Sequence, residues 1–145
     1  MVSDIFDASR WDLKYSAGGL IDIEFIAQYL QLVHGAEHPG ILDNSTARVL
    51  DKARALGVLA AGDADVLRPA ARLYQALTQI LRLCLPGPFN PKTAGPALLR
   101  LVARAADVPD FAAVEATLIE TQARVREAFV RILGSSPEPR PLDRG

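Results

Sequence analysis

The residues best suited to chemistry lie close together near the start of the chain, between Lys14 and Glu24. Lys14 precedes a pair of glycines, Gly18 and Gly19, that open an apolar helix. Glycine permits dihedral angles closed to other residues and a close approach to a ligand or a neighbouring backbone. A helix start also carries free N–H groups and a partial positive charge. Lys14 and these N–H groups could therefore face one anion, although an ordinary solvated lysine is the simpler interpretation.

Asp22 and Glu24 follow the glycines at a spacing that superficially resembles a catalytic carboxylate pair. Nucleotidyl transfer with two Mg²⁺ ions requires such carboxylates to converge on the triphosphate. On a helix, residues two positions apart point about 200° from each other, so Asp22 and Glu24 cannot hold one ion together. We therefore predict no catalytic residue in this chain. Asp22 is expected instead to cap the first helical turn or to meet a partner.

Other catalytic and metal-binding patterns are missing from the sequence. His34 and His38 have the spacing of a helical metal pair, but Gly35 and Pro39 interrupt the helix and no further ligands adjoin them. No Walker phosphate-binding loop is present, since Leu20 follows the glycines. No metal site is predicted.

The candidate residues must be positioned by a helix that we predict from about Leu20 to Val33 or His34. Apolar residues surround a narrow polar stripe on this helix, which indicates burial on most sides. The stripe consists of Glu24, Gln28 and Gln31. Asp22 lies roughly opposite the stripe, on the side otherwise given to the core.

The remaining helices are bounded by capping residues, glycines and prolines. We predict them at about residues 45–56, 63–85, 96–106 and 111–133. The third contains Pro69, where we expect a kink or a separate first turn. The fold is therefore predicted to be all-α, a bundle of about four to five helices with the first, third and fifth building the core.

The predicted domain organisation has three parts. Residues 1–19 form a short extended lead-in and junction, residues 20–134 form the helical domain, and residues 135–145 form a disordered Pro-rich tail.

Composition limits the class of protein further. The chain has 145 residues, of which 50% are hydrophobic, and a formal net charge of −1, which gives no reason to expect a nucleic acid partner. No apolar run is long enough to span a membrane and no signal peptide is apparent, so we expect a cytoplasmic protein. Cys84 is expected in the core as a small apolar residue.

The run Asp12–Leu32, DLKYSAGGLIDIEFIAQYLQL, resembles a signature of the bacterial glutamine-synthetase adenylyltransferase/deadenylylase family. In that family a Lys-x-x-x-Gly-Gly-Leu/Ile-x-Asp/Glu-Ile-Glu-Phe run marks the junction between a nucleotidyltransferase domain and a following helical domain. The related PII uridylyltransferase has a looser version. Asp22 resembles the C-terminal, adenylylating half of the enzyme. Further similarity covers residues 57–83, 87–89 and 108–111.

The resemblance implies a parent enzyme that adenylylates glutamine synthetase with ATP and Mg²⁺ and removes the AMP by phosphorolysis. This chain would be its C-terminal helical domain, inactive alone, with ATP and Mg²⁺ bound mainly outside it. The implied partners are the upstream nucleotidyltransferase domain, glutamine synthetase and the PII signal protein, with glutamine as a further regulator.

Within such an enzyme, Lys14, Gly18 and Gly19 are expected to orient the nucleotide phosphates or to brace the domain junction, with Asp22 and Glu24 as further junction candidates. The arginines of the third and fifth helices are expected to be solvated, or to dock another domain or glutamine synthetase. The alternative is a stand-alone helical interaction module without nucleotide chemistry. The glycine pair argues against it, because an adaptor bundle does not need two glycines at the start of its central helix.

Overall fold

The computed structural model describes residues 10–134, and within that range it contains helices and no strand. The predicted all-α bundle is confirmed. The start of the predicted lead-in and the predicted disordered tail, residues 1–9 and 135–145, lie outside the described range. None of the described helices is long and apolar enough to cross a membrane. The helices are α1 (Leu20–His34), α2 (Thr46–Ala55), α3 (Ala61–Cys84), α4 (Pro96–Ala105) and α5 (Phe111–Gly134), with a 3₁₀ turn at Pro39–Ile41.

Residues 11–19 form tight turns before α1 and are more compact than the predicted extended lead-in. The N–H of Leu20 donates to the carbonyl of Leu13 at 2.9 Å, which folds the segment back on the start of α1. The side chains of Trp11 and Leu13 are buried in the core. This segment is therefore part of the folded domain.

α1 is buried on one side only. Its core side consists of Asp22, Ile23, Ile26, Ala27 and Leu30. The prediction that α1 is buried on most sides is wrong, because Phe25 is 49% exposed and Leu32 is 84% exposed. No element within residues 10–134 covers these two side chains.

Only one of the three residues in the predicted polar stripe of α1 is fully exposed to solvent. Gln28 is exposed, whereas Glu24 and Gln31 are half-buried. Gln31 is drawn into the structure because its side-chain oxygen accepts the N–H of Asp43 at 3.0 Å. The amide thereby ties the C-terminal end of α1 to the loop that leads to α2.

α3 crosses the bundle as one continuous helix, so Pro69 does not create a separate first turn. Pro69 cannot donate to the carbonyl one turn earlier. Leu67 and Tyr74 on either side are fully buried, and that packing outweighs one missing hydrogen bond. The prediction that Cys84 belongs to the core is also wrong. Residues 82–84 are all exposed, so the last turn of α3 projects beyond the core.

The core is supplied mainly by α1, α3 and α5, as predicted, with smaller contributions from α2 and α4. Complete burial of an aliphatic side chain contributes about 1.5–3 kcal/mol. The largest buried aliphatic side chains of the three main helices are Ile23, Ile26, Leu30, Leu67, Leu77 and Leu118.

α5 closes the bundle and also holds the segment before α1. Its start is capped by Asp110, whose carboxylate accepts the N–H of Ala113 at 2.8 Å. The ring of Phe111 stacks on Trp11 with the centroids 5.8 Å apart, and Phe89 meets the same indole edge-on at 4.8 Å. These three rings fix the first described turn to the rest of the fold.

Candidate functional site at the start of α1

Asp22 is the buried carboxylate of the candidate site, with only 8% of its surface exposed. Its Oδ2 atom accepts the N–H of Gly18 at 2.7 Å, which ties the first turn of α1 to the residue before its N-cap, Gly19. The same oxygen accepts Nη1–H of Arg126, on α5, at 3.0 Å. The expectation that Asp22 caps the first turn or meets a partner is confirmed in its second form, since Asp22 pairs with Arg126 while the N-cap residue, Gly19, has no side-chain cap.

Gly18 is the position where three helices meet. Its φ of +79° lies in the left-handed region that favours glycine. A Cβ at this position would overlap the backbone carbonyl of Gln122 on α5. The carbonyl oxygen of Gly18 accepts the phenol O–H of Tyr74, on α3, at 2.6 Å. Glycine is therefore required here by contact with another helix as well as by the backbone dihedral.

Tyr74 is fully buried, and its phenol acts as a hydrogen-bond donor at this site. Burial, reinforced by the nearby negative charge of Asp22, raises the pKa of the Tyr74 phenol above its usual range. The phenol consequently stays protonated and can donate to Gly18 at any physiological pH.

Gly19 is constrained by its own segment. A Cβ there would lie 2.6 Å from the carbonyl oxygen of Leu13 and 2.8 Å from that of Ser16. The N–H of Gly19 donates to the Ser16 carbonyl at 2.8 Å, and the N–H of Ile21 donates to the Lys14 carbonyl at 2.9 Å. These N–H groups, expected from the sequence to be free, already have acceptors within the chain.

Lys14 lies on the outside of this compact segment. Its side chain is exposed, and its Nζ atom lies 5.5 Å from the centroid of the Tyr15 ring. The segment's backbone is fixed while the ammonium group reaches solvent. Lys14 therefore has a rigid base and an exposed charged end, and its role toward a nucleotide stays a prediction.

Gln122 ties the beginning of the described chain to α5. Its Nε2 atom donates to the carbonyl of Arg10 at 2.9 Å and to Oγ of Ser16 at 3.2 Å. Gly18 contacts the backbone of Gln122. Four residues later in both segments, Asp22 bonds to Arg126. α1 and α5 therefore run in the same direction, in this register.

Glu24 does not join the site. It is half-buried on α1 and makes no hydrogen bond or ion pair within residues 10–134. Asp22 already bonds a backbone N–H and a guanidinium through one oxygen. This donor set does not fit a magnesium site, because both partners compete with a cation for the carboxylate. The described range contains no cluster of three or more potential metal ligands.

The sequence did not indicate Tyr74, Gln122 or Arg126. Tyr74 stands among apolar residues of α3, where a phenol needs a partner when buried. That requirement was a signal that could have been read. The sequence gave no comparable signal for Arg126 and Gln122, because their partners lie more than 100 residues away in the chain.

Two of the arginines expected to be solvated or to dock another protein pair within the bundle, whereas Arg72 and Arg82 are exposed without an ion pair among residues 10–134. Arg68 donates to Asp51 of α2 at 2.8 Å, and Arg131 of α5 donates to Asp63 of α3 at 2.7 Å. Both pairs bridge neighbouring helices of the bundle.

Comparison with known proteins gives two findings. A family model described as GlnD PII-uridylyltransferase matches residues 6–132. The chain is also similar to proteins named bifunctional glutamine synthetase adenylyltransferase/adenylyl-removing enzyme. One, from Rhodopseudomonas palustris strain HaA2, is 60% identical over 128 residues, which are 88% of this chain and 13% of that protein.

Two further relatives carry the same name. The protein from Bradyrhizobium diazoefficiens is 60% identical over 132 residues, 90% of this chain and 13% of its own length. The protein from Xanthobacter autotrophicus is 51% identical over 132 residues, 91% of this chain and again 13% of its own length. The chain therefore spans about an eighth of the length of these relatives.

Proposed function

We propose a function from one premise: the chain belongs to the GlnD PII-uridylyltransferase family. In our proposal it is the helical domain of a bifunctional enzyme that adenylylates glutamine synthetase with ATP and removes the AMP by phosphorolysis. Identity of about 60% to enzymes of that name supports the assignment. Such an enzyme regulates nitrogen assimilation in the cytoplasm.

The chain's own role is to brace the junction between this helical domain and a nucleotidyltransferase domain. The supporting observation is the set of contacts around Gly18, where Asp22, Tyr74 and Gln122 hold one glycine from three helices. Those contacts fix residues 11–19, from which Lys14 projects. A rigid base lets an exposed charge act at a defined position relative to a neighbouring domain.

Catalysis is assigned to the rest of the enzyme. Asp22 is committed to Gly18 and Arg126, and Glu24 lies on another side of α1. ATP and Mg²⁺ are therefore proposed to bind mainly outside this chain. Glutamine synthetase and the PII protein are proposed as partners of the complete enzyme, and the chain alone is expected to be inactive.

The bracing role is tested in the full-length enzyme with Lys14→Ala and Gly18→Ala. If Lys14 orients the nucleotide, Lys14→Ala raises the KM for ATP or lowers the adenylylation rate while stability is unchanged. If the segment only braces the junction, Gly18→Ala lowers activity and stability together, and Lys14→Ala changes neither. Normal activity and stability of Gly18→Ala would contradict the bracing role.

A binding experiment separates the proposed function from a stand-alone interaction module. We expect glutamine synthetase to be retained by the chain joined to its upstream domain, and weakly or not at all by the chain alone. Equal retention by both would favour the interaction module, for which the exposed Phe25 and Leu32 provide an apolar surface.

A further inference from the structure

The long helix α3 carries two arginines that differ from most others in the bundle. Arginines elsewhere form ion pairs with carboxylates of the same bundle, namely Arg48, Arg54, Arg68, Arg124, Arg126 and Arg131. Arg72 and Arg82 are exposed, and their side chains have no ion pair or hydrogen bond within residues 10–134. Their charges are therefore open to a partner outside this part of the chain.

Two glutamines lie between these arginines on the same side of α3. Arg72, Gln75, Gln79 and Arg82 follow one another at spacings of three, four and three, which places them along one face of the helix. The side chains of Gln75 and Gln79 are exposed and likewise have no hydrogen-bond partner among the described residues. We call these four residues the α3 stripe. At 1.5 Å per residue, the stripe is about 15 Å long.

A groove of about 460 Å³ runs beside the C-terminal half of the stripe. Its lining consists of Leu20, Gln75, Thr78, Gln79, Arg82 and Leu83. Leu20 is the first residue of α1, and Leu83 is 76% exposed near the end of α3. No acidic residue of the described range lines this groove. The groove therefore combines an apolar wall with hydrogen-bonding groups and one positive charge.

A second groove, beside α4, shows that exposed arginines alone do not make such a surface. Arg100 and Arg104 line it, but Asp107 and Asp110 line it as well, so its charges balance. A carboxylate entering the α4 groove meets attraction and repulsion together, whereas one entering the α3 groove meets attraction alone. The α3 stripe is therefore the better surface for an acidic partner.

We propose that the α3 stripe binds an extended acidic segment of a partner protein. Arg72 and Arg82 each take one carboxylate, through charge-assisted hydrogen bonds. An extended chain advances about 3.3 Å per residue, so carboxylates about 15 Å apart lie about four or five residues apart in the partner. The distance between the two arginines thereby sets the spacing of the acids that they recognise.

The glutamines and leucines fit the part of the segment between its two acids. Gln75 and Gln79 lie about 6 Å apart along the helix, close to the repeat of alternate peptide groups in an extended chain. A carboxamide both donates and accepts, as a peptide group does, so each glutamine can pair with the backbone of the segment. An apolar side chain of the segment then packs between Leu20 and Leu83.

A protein fits this stripe better than other polyanions do. Anionic membranes are recognised by clusters of about four to eight cationic residues, and nucleic acids by a concentrated basic surface. Two separated arginines on a chain of formal net charge −1 supply neither. This inference goes beyond the proposed function, and its test does not require nucleotidyl transfer.

Fluorescence anisotropy with synthetic peptides tests the proposal on this chain. The probe is the fluorescein-labelled peptide Gly-Asp-Ala-Leu-Ala-Asp-Gly, whose aspartates have the predicted separation. One reference peptide replaces both aspartates by asparagine, and the other places the two aspartates next to each other. The test variant is Arg72→Gln/Arg82→Gln. Arg100→Gln/Arg104→Gln is the matched control, because it removes the same charge from exposed arginines that also lack an ion pair within residues 10–134.

The unmodified chain should bind the probe at least about fivefold more tightly than either reference peptide, as expected for two exposed ion pairs. Arg72→Gln/Arg82→Gln should abolish this preference, and Arg100→Gln/Arg104→Gln should keep it within about twofold. No preference for the probe, or equal losses in the two variants, would overturn the proposal. So would binding to phosphatidylserine vesicles, or self-association in sedimentation, that Arg72→Gln/Arg82→Gln abolishes, because the occupant would then be a membrane or a second copy.

Discussion

The two ends of α1 are held in different ways. At the N-terminal end, Asp22 bonds to Arg126 of α5 and Gly18 to Tyr74 of α3, partners that are 104 and 56 residues away. At the C-terminal end, Gln31 accepts the N–H of Asp43 in the following loop, and the Asp43 carboxylate bonds to Arg48 and Lys52, which are only 5 and 9 residues away. The first end is fixed by the assembled bundle and the second by its own loop. Disrupting the N-terminal end should therefore weaken the whole fold, whereas disrupting the other should act locally.

The largest effect is expected for Gly18→Ala. The substitution places a non-glycine residue at φ +79° and forces its Cβ into the Gln122 carbonyl. Left-handed strain costs about 1–2 kcal/mol and overpacking about 1–3 kcal/mol, so the free energy of unfolding should fall by about 2–5 kcal/mol in urea denaturation.

Gly57→Ala is the matched control for this substitution. Gly57 has the same φ of +79°, but a Cβ there would meet nothing within 4 Å. Only the strain of about 1–2 kcal/mol should appear. Equal losses for the two variants would mean that contact with α5 contributes nothing.

Asp22→Ala should have the next largest effect. It leaves the Gly18 N–H and the Arg126 guanidinium without their shared acceptor, at a cost of about 2–3 kcal/mol in the free energy of unfolding. A double-mutant cycle with Arg126→Met should give a coupling energy of about 0.5–3 kcal/mol, and additive effects would show that the ion pair is without energetic consequence.

Tyr74→Phe should cost somewhat less. It removes one hydroxyl and leaves the buried Gly18 carbonyl without its donor, which lowers the free energy of unfolding by about 1–2 kcal/mol. Tyr29→Phe is the control, because the half-buried Tyr29 makes no hydrogen bond from its hydroxyl within the described residues, and its change should stay within about 0.5 kcal/mol.

The smallest effect, and the one that disappears in acid, is expected for Asp43→Asn. Arg48, the Ser45 N–H and Lys52 hold the pKa of the Asp43 carboxyl well below its usual range. A carboxyl with a lowered folded-state pKa stabilises the fold above its unfolded pKa of about 3.9, and that stabilisation is lost as pH falls toward the folded value. Thermal unfolding at pH 2.5–6 should thus show a shallower acid loss for Asp43→Asn than for the unmodified chain, whereas parallel profiles would contradict the local ion pairs.

The helices could be predicted from the sequence because their ends are determined locally. Ser45 accepts the N–H of Arg48, Asp110 accepts that of Ala113, and Pro96 begins α4. Such capping depends on residues a few positions apart, which a sequence displays directly. The all-α class followed from the same local signals.

The site could be predicted only in part, since its contacts join distant segments. The glycine pair indicated that another group packs closely against this backbone, but nothing in the sequence identified that group as the Gln122 backbone of α5. Asp22 was expected to need a partner, yet Arg126 could be found only once α1 and α5 lay side by side. The solvent side of α1 was misjudged because apolar composition indicates that a surface is covered without saying which polypeptide segment covers it.

Trp11 gives the start of this fold a built-in optical reporter. It is the only tryptophan in the chain, it is 7% exposed, and its indole N–H has no acceptor among residues 10–134. All tryptophan fluorescence of the chain therefore comes from the point where Phe89 and Phe111 hold the segment before α1. A shift of that emission to longer wavelength would record release of this segment into water, even while the remaining helices stay folded.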